Sequence, residues 1–517
     1  MASDTQQSHP SCVLSWLLAT SLPTPDDSLS SLSTIISGMT LDSREVKQGD
    51  LFVALQGAVN DGRQFINNAI QSGAVAVLSE TLVQDENGYL SYQGGVPVIQ
   101  LFQLQRKISA IAMRYYFPQS NLHKVTAVTG TNGKTTIASL LANSYTLLGQ
   151  QSAQMGTIGN GLYNQLQASL NTTLDAISVC RELASYQTQG ATRTIMEVSS
   201  HGLVQGRIAA VPFNTAIFTN LTRDHLDYHG TMQAYADAKQ TLFEKFPLQH
   251  RIINANDQVG RNWLMLYPEA IAYGLNIDFN FTERQYFNVT KVDYLAQGLA
   301  FEFMSSWGSG VINTPFYGDF NVLNIAAVSC ALLADGFSLA AIQQVMAKLT
   351  VVPGRMEQYF FPKQQVTFVV DYAHTPDALD NALQALQHHK QQGRIIAVFG
   401  CGGDRDKGKR PQMANVAEQV ADLVMIVDDN PRSEDAKLIV EDIKAGLTAP
   451  EKALVIHDRQ QAIQYLLANS NPDDIVLLAG KGHEDYQIFG DKKVHYSDRE
   501  CLQTLLNEEA IQDNDND

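Results

Sequence analysis

Short apolar runs alternate with helix-length amphipathic segments along most of the chain, and the alternation falls into three blocks. In the first, to about residue 104, LFVAL at 51–55, AVAVL at 74–78 and VPVIQL at 96–101 read as strands. Turn signals such as Asn60-Asp61-Gly62 separate them. The second block opens with KVTAVTG at 124–130, followed by the helix-like TTIASLLANSYTLLG. RTIM at 193–196, TAIF at 215–218 and RII at 251–253 continue the strand pattern. The third begins near 351–355 and carries TFVVDYAH, RIIAVFG, DLVMIV and DIVLLAG, spaced by helix-length segments. Strands alternating with helical patterns predict parallel sheets with crossover helices. Continuous apolar runs predict strands buried on both faces. The expected class is α/β in three domains, 1–104, 105–350 and 351–517, the last a doubly wound, Rossmann-like unit. No internal repeat or low-complexity linker interrupts them.

Composition narrows the function. The hydrophobic fraction of 44% supports several cores, and 17% charged residues is not the signature of a charge-driven disordered chain. A net charge of −17 argues against a general nucleic-acid binder, though a few cations can still dominate one cleft. The five cysteines, at 12, 180, 330, 401 and 501, have no zinc-site spacing and suggest no disulfide framework. The N-terminus lacks the basic region of a signal peptide, and the apolar stretch 13–22 is too short and interrupted to span a bilayer. A cytoplasmic monomer without membrane insertion is expected, with a frayed acidic tail, NEEAIQDNDND.

The strand candidate ending at Gly130 runs directly into Thr131-Asn132-Gly133-Lys134-Thr135-Thr136. A glycine-rich turn between strand and helix turns backbone N–H groups and a helix dipole toward an anion. Lys134 would reach the terminal phosphates of a nucleotide, and the Thr135 hydroxyl would ligate Mg²⁺. The full phosphate-loop pattern wants glycine at 128, where this chain has Val128. On this loop alone the chain could be a kinase, a GTPase or a ligase.

The order TGTNGKTT, EVSSHGL, TNLTRDHLDYHG, FNVLN, PGRME, DYAHTPD resembles the Mur ligase family, the ATP-dependent amide-bond formers of peptidoglycan assembly. Within it, LDSREVKQGDLFVAL, DNPRSED and GKGHEDYQ resemble the members that add 2,6-diaminopimelate. The resemblance implies a central P-loop-type ATPase, a small N-terminal uridine-nucleotide domain and a C-terminal amino-acid domain. It implies ATP and Mg²⁺ as cofactors, with UDP-MurNAc-L-Ala-D-Glu and meso-diaminopimelate as substrates. Glu197 and His225 are implied metal ligands beside Thr135, and Lys239 an implied N6-carboxylysine that ligates as its carbamate. By sequence alone Lys239 is a helix-surface lysine and His225 a loop histidine, while Glu197, ending an apolar run, sits at a strand's C-terminal edge beside the phosphate loop or is merely an exposed strand-end carboxylate.

For ATP, the resemblance implies Gly130, Thr131, Asn132, Gly133, Lys134, Thr135 and Thr136, with Asn321 near the adenine and Arg355 and Asp371 near phosphates and ribose. Asn321 reads equally as a helix cap, and His374 is assigned no role. For the uridine nucleotide it implies Leu41, Ser43, Ala58, Val59 and Asn60; for the dipeptide arm, Asn171, Thr172, Thr173, Ser199, Gln205 and Arg207. Asn60-Asp61-Gly62 also reads as a plain turn. For diaminopimelate it implies Arg405, Asp429, Asn430, Pro431, Arg432, Gly480 and Glu484. A guanidinium at 432 suits a distal carboxylate that lysine lacks, and Glu484 suits an ammonium. Lys407, Lys409 and Arg410 read equally as a solvated basic loop. Two rivals stand beside this reading: a folylpolyglutamate synthetase, which needs no uridine-binding N-terminal domain, and a nonenzymatic nucleotide switch, which needs neither the second metal group nor an amino-acid site.

Overall fold

The five residues of the strand Asp50–Ala54 are all buried, so the apolar run near residue 51 does pack on both faces. The structure is a computed structural model that describes residues 11–21, 32–57, 60–169, 171–277, 284–295, 298–390 and 392–514. Ala58 and Val59, two of the expected uridine contacts, lie outside the described residues. The chain divides into two compact units, residues 1–127, 150–214 and 241–248 in one and 128–149, 215–240 and 249–517 in the other.

The first unit contains a five-stranded sheet in the order Gly38–Thr40, Asp50–Ala54, Ala76–Thr81, Val96–Phe102, Leu90–Gln93. The first four are parallel and the last is antiparallel. All six residues of Ala76–Thr81 are buried, and each large apolar side chain so placed contributes roughly 1.5–3 kcal/mol. Phe52, Val77 and Val98 share a core with Ile66 and Ala69. Asp61 accepts from the Arg63 backbone N–H and caps the short helix Gly62–Phe65. The turn reading of Asn60-Asp61-Gly62 therefore describes its local structure. The same unit carries Gly159–Leu162, Ser152–Gly156 and Arg193–Glu197, ordered toward the first four residues of Lys124–Thr129.

In the second unit, the order continues from Val128 and Thr129 through Thr215–Phe218, His250–Asn254 and Ile271–Leu275. The last three strands are mutually parallel. Tyr286–Leu295 joins them in parallel, and Gly298–Ser305 and Gly308–Thr314 close the edge as an antiparallel meander absent from the sequence expectation. These strands expose one face, with burial that alternates, so they lack the continuous apolar runs that mark the others. The helix Asp319–Ala334 is apolar on nearly all sides and packs against the helix Lys134–Leu147 and the strands His250–Asn254 and Ile271–Leu275.

The C-terminal sheet, also in this unit, runs Glu357–Phe361, Val366–Asp371, Ile475–Ala479, Ile395–Phe399, Leu423–Ile426, Leu454–Val455. All but the first are parallel, and the four expected strands are its centre. Separate cores cover its two faces, one around Leu383, Phe399 and Met413, the other around Phe368, Ile396 and Ile463.

Candidate active site

In the first unit, Glu197 ends its strand, as the apolar run before it suggested, and is fully buried, which removes the alternative of an exposed carboxylate. The Thr157 backbone N–H donates to its Oε1 at 2.9 Å and the Thr157 hydroxyl to its Oε2 at 3.1 Å. Gly156 makes room for the carboxylate: a Cβ there would stand 2.1 Å from Oε1. Around it the expected dipeptide residues form one connected network. Thr172 Oγ1 lies 3.1 Å from Thr157 Oγ1, to which its hydroxyl can donate, and Thr173 Oγ1 donates to the Glu197 carbonyl at 3.0 Å. The Ser199 N–H donates to Thr173 Oγ1, and Ser199 Oγ caps Ser200–Val204. Arg207 donates to the Thr173 carbonyl at 2.6 Å and to Gln205 Oε1 at 2.9 Å. Asn171 sits at the exposed end of this stretch, its carbonyl accepting from Ser169 Oγ. Leu41 and Ser43 follow the strand Gly38–Thr40 at its C-terminal end, where parallel sheets place ligands. Exposed Asn60 lies beyond Asp50–Ala54 in the same sense.

In the second unit, the phosphate loop is held by its glycines. Gly130 has φ 151°, and a Cβ there would meet Thr219 Oγ1 at 1.8 Å. Gly133, at φ 84°, is the N-cap of Lys134–Leu147. Asn132 donates its backbone N–H to Asn220 Oδ1 and its side-chain amide to Asp377 Oδ2. Thr131 Oγ1 donates to the Thr222 carbonyl, and Thr135 and Thr136 are buried in the first helical turn. Lys134 is half-buried rather than solvent-facing, and its Nζ donates to the carbonyls of Gly130 and Thr131.

Lys239 overturns the surface reading: it is 1% exposed and donates to the Gly130 carbonyl at 2.8 Å. Burial pushes its ammonium well below the ordinary lysine range, and Lys134 pushes the same way, opposed by Asp224. His225 stands in the left-handed region at φ 54°, with Nε2 3.3 Å from Asp224 Oδ2. Burial raises the Asp224 carboxyl, but His374, His225 and Lys409 together hold it below the carboxylate range. His374 is itself pushed down, by burial and then Lys409. Its Nδ1 lies 2.9 Å from the Tyr372 carbonyl, and Lys409 Nζ donates to the His374 carbonyl at 2.8 Å.

Arg355 donates to Thr135 Oγ1 at 3.2 Å and lies over the Tyr372 ring at 4.4 Å. Asp371 accepts from the Met356 N–H; burial raises its carboxyl and Arg355 opposes this. Asn321 is not the cap of its helix, a position held by Gly318. It donates back to the Tyr317 carbonyl and accepts from Asn324.

At the C-terminal ends of Leu423–Ile426 and Ile475–Ala479, the expected amino-acid residues meet. Arg432, at φ 54°, donates through Nη1 to the Gly403 carbonyl at 2.8 Å. Asn430 donates to Glu484 Oε2 at 3.3 Å, Pro431 carries the turn onward, and the Gly480 N–H donates to the Asp371 carbonyl. Arg405 is exposed and donates to the Asp404 carbonyl. The basic loop is not solvated throughout, since Arg410 is fully buried between Glu434 and Asp442, at 2.9 and 2.8 Å. Sequence reasoning missed Lys481, which lies inside a recognised motif but was passed over for its neighbours. It missed Thr157 too, since nothing in TIGNG marks a threonine as a carboxylate's partner.

A glycine-held loop between strand and helix, followed by a second parallel sheet, is the architecture of an ATP-dependent ligase that forms amide bonds, and the matches to known proteins say the same. Family models match as the Mur ligase catalytic domain over residues 35–116, the middle domain over 128–332 and the glutamate ligase domain over 354–482. The chain belongs to the Mur ligase family. It is 49% identical over 91% of its length, and 94% of the relative's, to the UDP-N-acetylmuramoyl-L-alanyl-D-glutamate–2,6-diaminopimelate ligase of Vibrio vulnificus. It is 48% identical, over 95% and 98%, to that of Vibrio cholerae. A solved structure with the same description is 35% identical, with TM-score 0.68 over 97% of this chain and 99% of that one. Folylpolyglutamate synthase of Mycobacterium tuberculosis shares the fold at 16% identity and TM-score 0.60, covering 73% of this chain and 92% of that one.

Proposed function

We propose that this chain joins meso-2,6-diaminopimelate to the D-glutamate carboxyl of UDP-MurNAc-L-Ala-D-Glu at the expense of ATP, in peptidoglycan precursor synthesis. The observation that carries the reading is sequence identity of 48–49% across more than nine-tenths of the chain to relatives described by that reaction. The five-stranded N-terminal sheet ahead of the phosphate loop supports it over the folylpolyglutamate alternative. The amino-acid pocket supports it over a nucleotide switch.

The reaction has two steps. A carboxylate oxygen attacks the γ-phosphorus of ATP and ADP leaves. The amine nitrogen then attacks the acyl carbon, and the tetrahedral adduct expels phosphate as the nitrogen loses a proton. The first step brings two anions together, so fixed positive charge carries most of the catalysis. Lys134 exchanges its loop carbonyls for phosphate oxygens, and Arg355 holds the same end of the nucleotide. Asn321 and Asp371 serve the adenosine.

Mg²⁺ suits the donor chemistry of the second unit, where the Thr135 hydroxyl and, once carbamylated, Lys239 are oxygen ligands and His225 a nitrogen donor; the Glu197 carboxylate of the first unit is an oxygen ligand of the same kind. When bound it neutralises charge on the phosphates. Among the described residues no cluster of three or more acidic, histidine or cysteine side chains forms a ready-made cage. That suits an ion which keeps waters and takes substrate phosphates. Carbamylation needs a neutral amine to attack CO₂ and release a proton, and the desolvated Lys239 supplies one. Leu41, Ser43 and Asn60 take the uridine end, while Asn171 to Thr173, Ser199, Gln205 and Arg207 take the peptide arm. No helix among the described residues is long and apolar enough to cross a membrane. We place the enzyme in the cytoplasm as a monomer.

The test is ADP release with UDP-MurNAc-dipeptide and diaminopimelate, each omitted in turn, against a folate acceptor with glutamate. Turnover requiring both of the first pair supports the reading. Turnover on folate, or none dependent on the amine, overturns it.

A further inference from the structure

Lys481 is fully buried at the amino-acid pocket, held between two carboxylates. Its Nζ lies 2.8 Å from Glu484 Oε2 and 3.1 Å from Asp429 Oδ1, and it donates to Asn430 Oδ1 at 3.2 Å. The ring of Tyr486 lies 5.4 Å from the ammonium. Asp429 Oδ1 is buried, and the contact named for it is Lys481, whose charge and hydrogen bond hold the Asp429 carboxyl down against its burial. Glu484 also accepts from Tyr372 Oη at 3.4 Å. Arg459 and Lys409 also lower the Asp429 carboxyl by their charge, and Arg459 is itself paired with Asp498 at 2.6 Å.

Two carboxylates and one ammonium leave one net negative charge. That matches one incoming ammonium, with the partly exposed carboxylates of Asp429 and Glu484 to receive it. Without the lysine, two carboxylates this close would share a proton and shift their titration upward. Resting on the reading of this pocket as the amine site, we propose that Lys481 is a positioning residue for the amino-acid substrate. It fixes Glu484 and Asp429 and sets the charge of this acidic pair to minus one, beside the Arg432 guanidinium, so that a single ammonium is bound between the two carboxylates.

The test is a sign reversal. Asp429→Asn alone leaves Lys481 and Glu484 cancelling, so the KM for diaminopimelate rises. Lys481→Met added to Asp429→Asn restores one net negative charge. The double variant should then have a KM about tenfold below that of Asp429→Asn, the scale of one charge-assisted hydrogen bond. A lysine needed only for packing would make the double variant worse than the single one, and that result overturns the proposal. A second reading uses Lys481→Met alone: its KM should gain an ionisation between about pH 5 and 8 that the wild type and the double variant lack. A profile unchanged from wild type in a folded Lys481→Met protein also overturns it. Because the wild type is assayed alongside, failure to use diaminopimelate at all would strike the functional reading and not the lysine.

Discussion

Lys134 and Lys239 donate to the same acceptor, the carbonyl oxygen of Gly130, at 3.0 and 2.8 Å. Two lysine amines converge where a polyphosphate would sit. Burial and then the Lys134 ammonium push the Lys239 amine toward its neutral form. The loop thus brings together one half-buried lysine held by two carbonyls and one buried amine pushed toward its neutral form.

Replacing Lys134 by alanine should abolish ligation and leave the fold in place. Its two bonds go to loop carbonyls, worth on the order of 1 kcal/mol each. Loss of its charge at the transferring phosphoryl group should cost roughly 10²–10³ in kcat. ADP release and a thermal melt read the two effects; near-normal ADP release would remove the phosphate-loop assignment.

Lys239→Ala should lose activity that small carboxylic acids partly restore, by supplying the oxygens the carbamate provides. The enclosed position of Lys239 makes a confined carboxylate site plausible in size and dryness. Full activity without additives would sink the idea, as would a mass spectrum of the native protein with no labile carboxyl adduct under bicarbonate.

Arg432 should set the preference for meso-diaminopimelate over L-lysine. Arg432→Ala should cut kcat/KM for diaminopimelate by about 10–150-fold, the value of one charge-assisted contact. Arg432→Lys should rescue little, since the planar fork is lost. Assays with both amines decide the matter: a wild type that uses lysine equally, or an alanine variant with unchanged preference, moves the determinant elsewhere.

Stability should fall in acid through Glu434. The Arg410 guanidinium beside it, aided by the Asp404 N–H, holds its carboxyl down to about 2. A depressed carboxyl stabilises the fold above its unfolded value of 4.5 and loses that contribution as pH falls toward 2. Glu434→Gln should therefore be less stable by about 1.5–3 kcal/mol at neutral pH. The gap to wild type should close between pH 4.5 and 2. Urea unfolding at several pH values measures it; a gap constant with pH would place the stabilisation elsewhere.

The parallel strands were legible because burial on both faces writes itself as an unbroken apolar run, as in LFVAL and RIIAVFG. The meander Tyr286–Leu295, Gly298–Ser305 and Gly308–Thr314 was not, since half-exposed strands dilute that signal. The phosphate loop was legible because glycines and a lysine are tied to backbone geometry. Burial of Lys239 was not: AYADAKQTLF marks a helix, but only the tertiary fold decides which face is covered. Lys481 failed for the same reason, its partners being distant in sequence except Glu484.

The buried Arg410 has a consequence for anyone altering the amine that this enzyme accepts. Glu434 holds Arg410 and also receives the Asp404 N–H, Ser433 donates to Asp404, and Arg432 donates to the Gly403 carbonyl. Segments 400–410 and 429–435 are thereby clasped together at four points, so they behave as one exchangeable cassette. Transplanting DNPRSED from a relative without its matching GCGGDRDKGKR would leave a guanidinium locked inside the protein with the wrong neighbours. Redesign of acceptor choice has to move both stretches at once.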